Sequence, residues 1–269
     1  MRLLFVFLPI VSLAALPGCQ TFQADAVTSQ GKAGDGITQS DRLIALAGDI
    51  EARGEDETAI VLYRQAISLP GAKPVSFVKA GEALMRAGYT DEAVAAYHSA
   101  LSAAPNDGHA MLGLGAAMVD SGDISAGIRA LAKAAPIVNT SKAYNQLAVA
   151  QILAGETIAA QSTLSQALAL DPGDLDIQTI MALAASLEGS SSTAVPLIER
   201  VLSSSNAQLH HKRNVVVAFG LLGQSERVKA SPPVGLTTVE IDKLLSLAKS
   251  ISNKSSLQAK AKALGSMSG

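Results

Sequence analysis

The chain has 269 residues, a net charge of −2 and 48% hydrophobic side chains, with 3% aromatics, no Trp and one Cys. That balance gives no reason to expect nucleic-acid binding, for which no motif appears either, and a lone thiol excludes an intrachain disulfide framework. Few aromatics and abundant Ala and Leu point to an all-helical chain of closely packed pairs.

Met1 and Arg2 form a short cationic start, Leu3 to Leu16 is apolar, and Leu16-Pro17-Gly18-Cys19 follows. An apolar run of ~14 residues is too short for a comfortable membrane span and fits a secretory leader over residues 1–18. The cysteine directly after Leu-Pro-Gly resembles the lipobox of bacterial lipoproteins. The resemblance implies cleavage before Cys19 and acylation of its thiol. Gln20, standing where an Asp would signal inner-membrane retention, implies sorting to the outer membrane, with the chain on its periplasmic face. Several acyl chains, at ~0.8 kcal/mol per buried CH₂, make such an anchor stable. Residues 19–39 are rich in Gly, Ser, Thr and Gln and read as a flexible tether, with a root-mean-square span of ~25 Å.

Glycines then recur at Gly54, Gly88, Gly122, Gly155, Gly189 and Gly223, in steps of 34, 34, 33, 34 and 34 residues. A fixed period of this length marks helix–turn–helix units that stack into a solenoid with a continuous core and a concave face. The units run over 40–73, 74–107, 108–140, 141–174 and 175–208, with a degenerate sixth from Leu209. Each glycine is expected just past a first helix, where a left-handed backbone meets no Cβ clash. The second unit contains FVKAGEALMRAGYTDEAVAAYHSALSAAP. Gly81 and Leu84 fall in its first helix, Ala93, Tyr97 and Ala100 in its second, and Pro105 at its close. Ala59, Tyr63 and Ala66 match that trio in the first unit, and Ala160, Leu164 and Ala167 in the fourth. Small residues belong where two helices cross closely. This pattern resembles the tetratricopeptide repeat. The resemblance implies an all-α, right-handed solenoid of about five and a half helical hairpins over 40–230, closed by a C-terminal capping helix. Gly127 stands where the third unit would carry a small Ala, which predicts tighter packing or local softness. Pro196 is expected in the first turn of a helix, where a missing N–H is tolerated.

In tetratricopeptide proteins, positions 2, 5, 9 and 12 of each first helix line the concave groove. Carried over by register, these are Val75, Val78, Glu82 and Met85 in the second unit, and His109, Leu112, Ala116 and Val119 in the third. The fourth gives Lys142, Asn145, Val149 and Ile152, and the fifth Asp176, Thr179, Leu183 and Ser186. Runs of Val, Leu and Met along a groove mark a candidate site for an amphipathic helix or an extended apolar peptide. The same residues would be ordinary core if the repeats closed over one another. A clamp for a peptide carboxylate needs several converging Lys, Arg and Asn, and Lys142 with Asn145 are too few.

Catalytic patterns do not emerge: the sequence holds no phosphate loop, no serine nucleophile elbow and no His-Glu-x-x-His. The expectation is a non-enzyme with no cofactor and no metal. His210 and His211 point about 100° apart on a helix and read as a solvated or packed pair with no carboxylate cluster. His98 and His109 read as groove or surface residues.

After Ser231-Pro232-Pro233 the chain breaks, and Val239, Ile241, Leu244, Leu245, Leu247 and Ala248 follow a helical period, so a capping helix is expected within 231–251. Residues 252–269 are Ser-rich, and beyond Asp242 the chain has five Lys and no acid, which reads as a flexible cationic tail. The segment HKRNVVVAFGLLGQSERVKASPPVG completes a further resemblance. Together with the leader, tether and repeats it is similar to the TadD family of Flp/Tad pilus-assembly lipoproteins. Arg213 and Asn214 stand at that family's Arg-x-Asn-Leu-like start, Gly220 and Gly223 at its Gly-Leu-x-Gly, and Pro232 and Pro233 before its last helix. The resemblance implies an outer-membrane lipoprotein scaffold for tight-adherence pilus assembly, pilotin-like, whose partner is the secretin or another pilus component. Neither nucleic acid nor a small-molecule substrate is implied. A second reading stays open, a lipoprotein adaptor for a periplasmic peptidase or cell-wall enzyme.

Overall fold

The computed structural model describes residues 37–265. The leader, Cys19, most of the tether and the last four residues of the expected tail lie outside the described residues. Five antiparallel hairpins follow in chain order: α1 (Gln39–Glu51) with α2 (Asp56–Ser68), α3 (Pro74–Arg86) with α4 (Thr90–Ala103), and α5 (Gly108–Asp120) with α6 (Ile124–Val138). The next two are α7 (Ser141–Ala154) with α8 (Thr157–Leu170), and α9 (Leu175–Leu187) with α10 (Ser191–Ser203). Then come α11 (Leu209–Leu221), the short α12 (Ser225–Ala230), α13 (Thr238–Ser252) and α14 (Leu257–Gly265). No strand occurs among the described residues, and no helix there is long and apolar enough to cross a membrane. Each hairpin packs on the next, and the first helices of consecutive units also touch one another.

The six periodic glycines occupy the positions expected of them, with φ between 71° and 94°. At Gly88 the turn is a Schellman motif: the N–H of Gly88 donates to Met85 O at 3.0 Å and that of Tyr89 to Leu84 O at 2.8 Å. Orphan carbonyls at the helix end are thereby satisfied. The third unit ends differently. Asn139, at φ 47° and ψ 52°, closes α6 without a glycine, and only two residues separate α6 from α7. That short link accompanies the single 33-residue step. Asp107 and Asp174 cap α5 and α9 as N-cap residues should.

Size complementarity at one register position builds the hairpin crossings. Tyr63, Tyr97, Leu131, Leu164 and Ile198 repeat there, all at most 4% exposed. The Tyr97 ring lies against Gly81 and Gly113. A Cβ on Gly113 would come within 2.2 Å of that ring, and one on Gly81 within 2.8 Å. In the next unit Gly115 receives Leu131, and Gly127 sits so close to Gly115 that a Cβ on it would lie 2.8 Å from the Gly115 carbonyl oxygen. Gly127 therefore marks tight packing, not softness. Pro196 lies in the second turn of α10 rather than the first, because the helix begins at Ser191.

The C-terminal end departs from expectation. The six-residue α12 is too short to serve as a second helix, and α13 packs against α11 in its place. Most of the stretch expected to be a flexible tail is not one. Within it α14 packs against α7, α9 and α13, and Leu257, Ala261 and Leu264 join the apolar cluster around Ala148, Ile152, Ile177 and Ala184. Ser-rich composition gave no hint of this, because the apolar face of α14 is only a narrow seam at spacing i, i+4, i+7.

Candidate functional site

Helices α7, α9 and α11 stand side by side and present equivalent positions of three successive units. Between them and α14 lies a cavity of about 640 Å³. Asn145, Val149 and Ile152 enter it from α7; Asp176, Thr179 and Leu183 from α9; His210, Arg213 and Asn214 from α11; Ala261 and Leu264 close it from α14. Asn145, Thr179 and Arg213 occupy one register position in consecutive units, and Asp176 and His210 another. The repeat period therefore stacks polar side chains in rows beside an apolar floor.

The remaining groove candidates are placed otherwise. Val75 is 52% exposed on α3, and Lys142 is exposed at the start of α7. Val78 is a correction: it is 7% exposed and belongs to the core cluster with Ile44, Tyr63 and Leu84, because α1 and α2 close over that part of α3. Met85 packs partly buried against the same cluster, and Leu112 and Val119 against Leu131 and Leu147. Ile152 and Leu183 border the cavity yet are each only 7% exposed, whereas Val149 is 36% exposed. The candidate face is thus uneven, a cavity over the fourth to sixth units and a mixture of core and scattered surface residues over the second and third.

Polar groups around the cavity are unequally satisfied. The Oδ1 of Asn145 is buried and has no hydrogen-bond partner, a condition that costs roughly 1–3 kcal/mol. Arg213 donates to Glu240 at 3.1 Å. His211, 5% exposed, accepts the backbone N–H of Gln208 on Nδ1 at 3.0 Å. A neutral imidazole with an accepting Nδ1 carries its proton on Nε2, and that N–H donates to Asp176 Oδ1 at 2.9 Å. His210 Nε2 meets the same oxygen at 2.8 Å, and the two rings lie 3.8 Å apart.

No carboxylate cluster accompanies the histidine pair among the described residues, but a single carboxylate, that of Asp176, joins both rings. Asp176 stands one 34-residue period before His210, and subtracting the period would have revealed it. The three ligand atoms fall within 4.8 Å of one another, yet a metal on His211 Nε2 would require Nδ1–H to face the Gln208 N–H. The helix cap and such a metal exclude each other. What the trio does is tie α9 to α11. Partial burial alone would raise the Asp176 carboxyl; the His210 hydrogen bond and the interactions with His211 outweigh it and hold that carboxyl below the usual carboxylate range.

Comparison with known proteins places this geometry. Residues 84–152 match the family described as tetratricopeptide repeat. The fold is a tetratricopeptide-repeat solenoid. Over 129 residues the chain is 33% identical to the putative cellulose synthase operon protein C of Escherichia coli O157:H7, covering 48% of this chain and 11% of that one. The chain thus spans about a tenth of that relative's length. Among solved structures, PilF of Pseudomonas aeruginosa aligns at a TM-score of 0.60 and 13% identity, over 77% of this chain and 96% of that one. MamA of Desulfovibrio magneticus RS-1 aligns at 0.58 and 18% identity, over 65% and 99%. At such identities the structures share a fold and nothing finer. Tetratricopeptide solenoids act by holding protein partners on their stacked helices.

Proposed function

We propose that this chain is an outer-membrane lipoprotein scaffold for assembly of a Flp/Tad pilus, a pilotin-like factor that receives a segment of the secretin on its concave face. The observation that carries the reading is the cavity over the last three units, where Arg213 and Asn214 line the wall. Those two residues are also where the sequence resembles the TadD family. Cys19, acylated after export, would hold the solenoid at the periplasmic face of the outer membrane. The binding contribution comes from burying Val149 and its apolar neighbours, at ~25 cal/mol per Å² of apolar surface removed from water.

Val149→Asp tests this in cells, because Val149 is exposed enough to change without unfolding the solenoid. Secretin multimers and surface pili should fall at least fivefold while the lipoprotein stays abundant. Val78→Asp serves as the contrast: a charge in the core should lower the abundance of the lipoprotein itself. Normal secretin assembly with abundant Val149→Asp protein would contradict the pilotin reading and favour the peptidase-adaptor one. For the anchor, Cys19→Ser should move the protein from the outer-membrane fraction to the soluble periplasm; unchanged fractionation would remove lipidation from the account.

A further inference from the structure

The concave face of the fourth and fifth units already holds a helix, and that helix is the chain's own. α14 has nine residues, well below the length at which isolated helices persist in water. Its helicity therefore depends on the surface beneath it. Leu257, Ala261 and Leu264 face α7 and α9, while Lys262 on the opposite side is exposed. The turn at Gly155 is shaped to let α14 approach: a Cβ there would lie 3.0 Å from the Gln258 backbone nitrogen. Among the described residues the cavity continues past Leu264, with Asn145 and Val149 on its α7 wall. The occupant is thus short, seated by one narrow seam, and leaves apolar surface uncovered.

We propose that α14 is an internal stand-in for the partner: a partner segment with the same Leu-x₃-Ala-x₂-Leu helical face displaces α14 from α7 and α9. This rests on the reading of the concave face as the docking surface and adds the occupant's chemistry and a competition built into the chain. A longer helix from the partner would cover the α14 footprint and fill the remaining cavity. With α14 in place the competent state is a minority, and the apparent affinity falls in proportion. The scaffold then discriminates against short or weakly apolar segments, which cannot outcompete an intramolecular helix.

The test uses the full chain carrying Cys19→Ser for solubility, with and without Leu257→Asp and Leu264→Asp together. The probe is a fluorescein-labelled peptide of residues 253–269, followed by anisotropy. The released variant should bind the peptide at least tenfold more tightly than the chain with native α14, and adding Val149→Asp should abolish that gain. At saturating peptide, the amides of residues 257–265 in the chain with native α14 should lose their protection from hydrogen exchange. Equal affinity for the two chains, or no binding by a released variant that circular dichroism shows to be folded, would overturn the proposal. So would a concentration-dependent dimer of the native-α14 chain that vanishes in the released variant, since the occupant would then be α14 of a second copy. No pilus component enters this titration, so its failure is distinct from a failure of secretin assembly.

Discussion

The first two hairpins and the last two solve the same packing problem with different parts. In the first half, Tyr63 and Tyr97 fill the crossing position and glycines open beneath Tyr97, where Gly81 and Gly113 leave room for a ring. In the second half, Leu164 and Ile198 fill it, each fully buried, and Ala148 and Ala182 stand where Gly81 stood. Between the second hairpin and the fourth and fifth, a ring over glycine is thus exchanged for a smaller side chain over alanine. The concave faces also differ. Over the second and third units the groove residues are drawn into the core or left singly on the surface, whereas over the last three units they enclose a cavity partly filled by α14. A regular period therefore coexists with a face that changes along the solenoid, and the cavity lies over its last three units.

The largest effect should come from breaking the aromatic half. Tyr97→Ala removes a ring held between two glycines and should cost about 3–5 kcal/mol in urea denaturation. Gly113→Ala should cost about 1–3 kcal/mol by forcing a methyl into the same ring. A loss below about 1 kcal/mol for Tyr97→Ala would mean that the ring is not seated at the crossing. Leu264→Asp, in the other half, should cost only about 1 kcal/mol overall, since Leu264 is half-buried. Hydrogen exchange should rise in residues 257–265 and stay unchanged in α11 and α13.

The smallest effect should appear at the capping boxes of α1 and α13. A Lys73 hydrogen bond and the Thr38 backbone N–H lower the Asp41 carboxyl to about 2. The Thr237 backbone N–H and hydroxyl, with Arg213, lower that of Glu240 to about 2. Both folded values lie below the ordinary ones of 3.8 and 4.5. Their stabilisation is therefore fully present above about pH 4.5 and is lost as the pH falls toward 2. Both groups lie at the surface, only partly covered and open to solvent screening, so the change is small and local. Acid titration followed by amide chemical shifts should show α1 and α13 fraying at their N-termini, and Asp41→Asn with Glu240→Gln should flatten it.

The solenoid was legible because its signals repeat. A glycine of positive φ recurs in each unit, and a pair of buried alanines flanking a bulky residue recurs in the first, second and fourth, so that each recurrence reinforces the register. The site was legible only in part. Asn145, Val149, Ile152 and Leu183 reach the cavity from the positions that register assigned. Val78 occupies an equivalent position but is covered, because what lies over a first helix depends on the preceding hairpin. Asp176 was hidden by reading His210 and His211 along the chain instead of across the period. α14 was missed for a different reason. Leu257, Ala261 and Leu264 are too few to announce a helix, and they acquire meaning only against the surface that receives them.

The central claim is that a protein partner sits on the concave face of the last three units. A photo-crosslinking residue at Val149, on the cavity wall, can be set against one at Ile158, which is 76% exposed on α8 and does not line the cavity. After irradiation of intact cells, blotting for the secretin should show an adduct from Val149 and none from Ile158, with the Val149 adduct increased by Leu264→Asp. An adduct of equal yield from Ile158, or secretin captured there alone, would contradict the account.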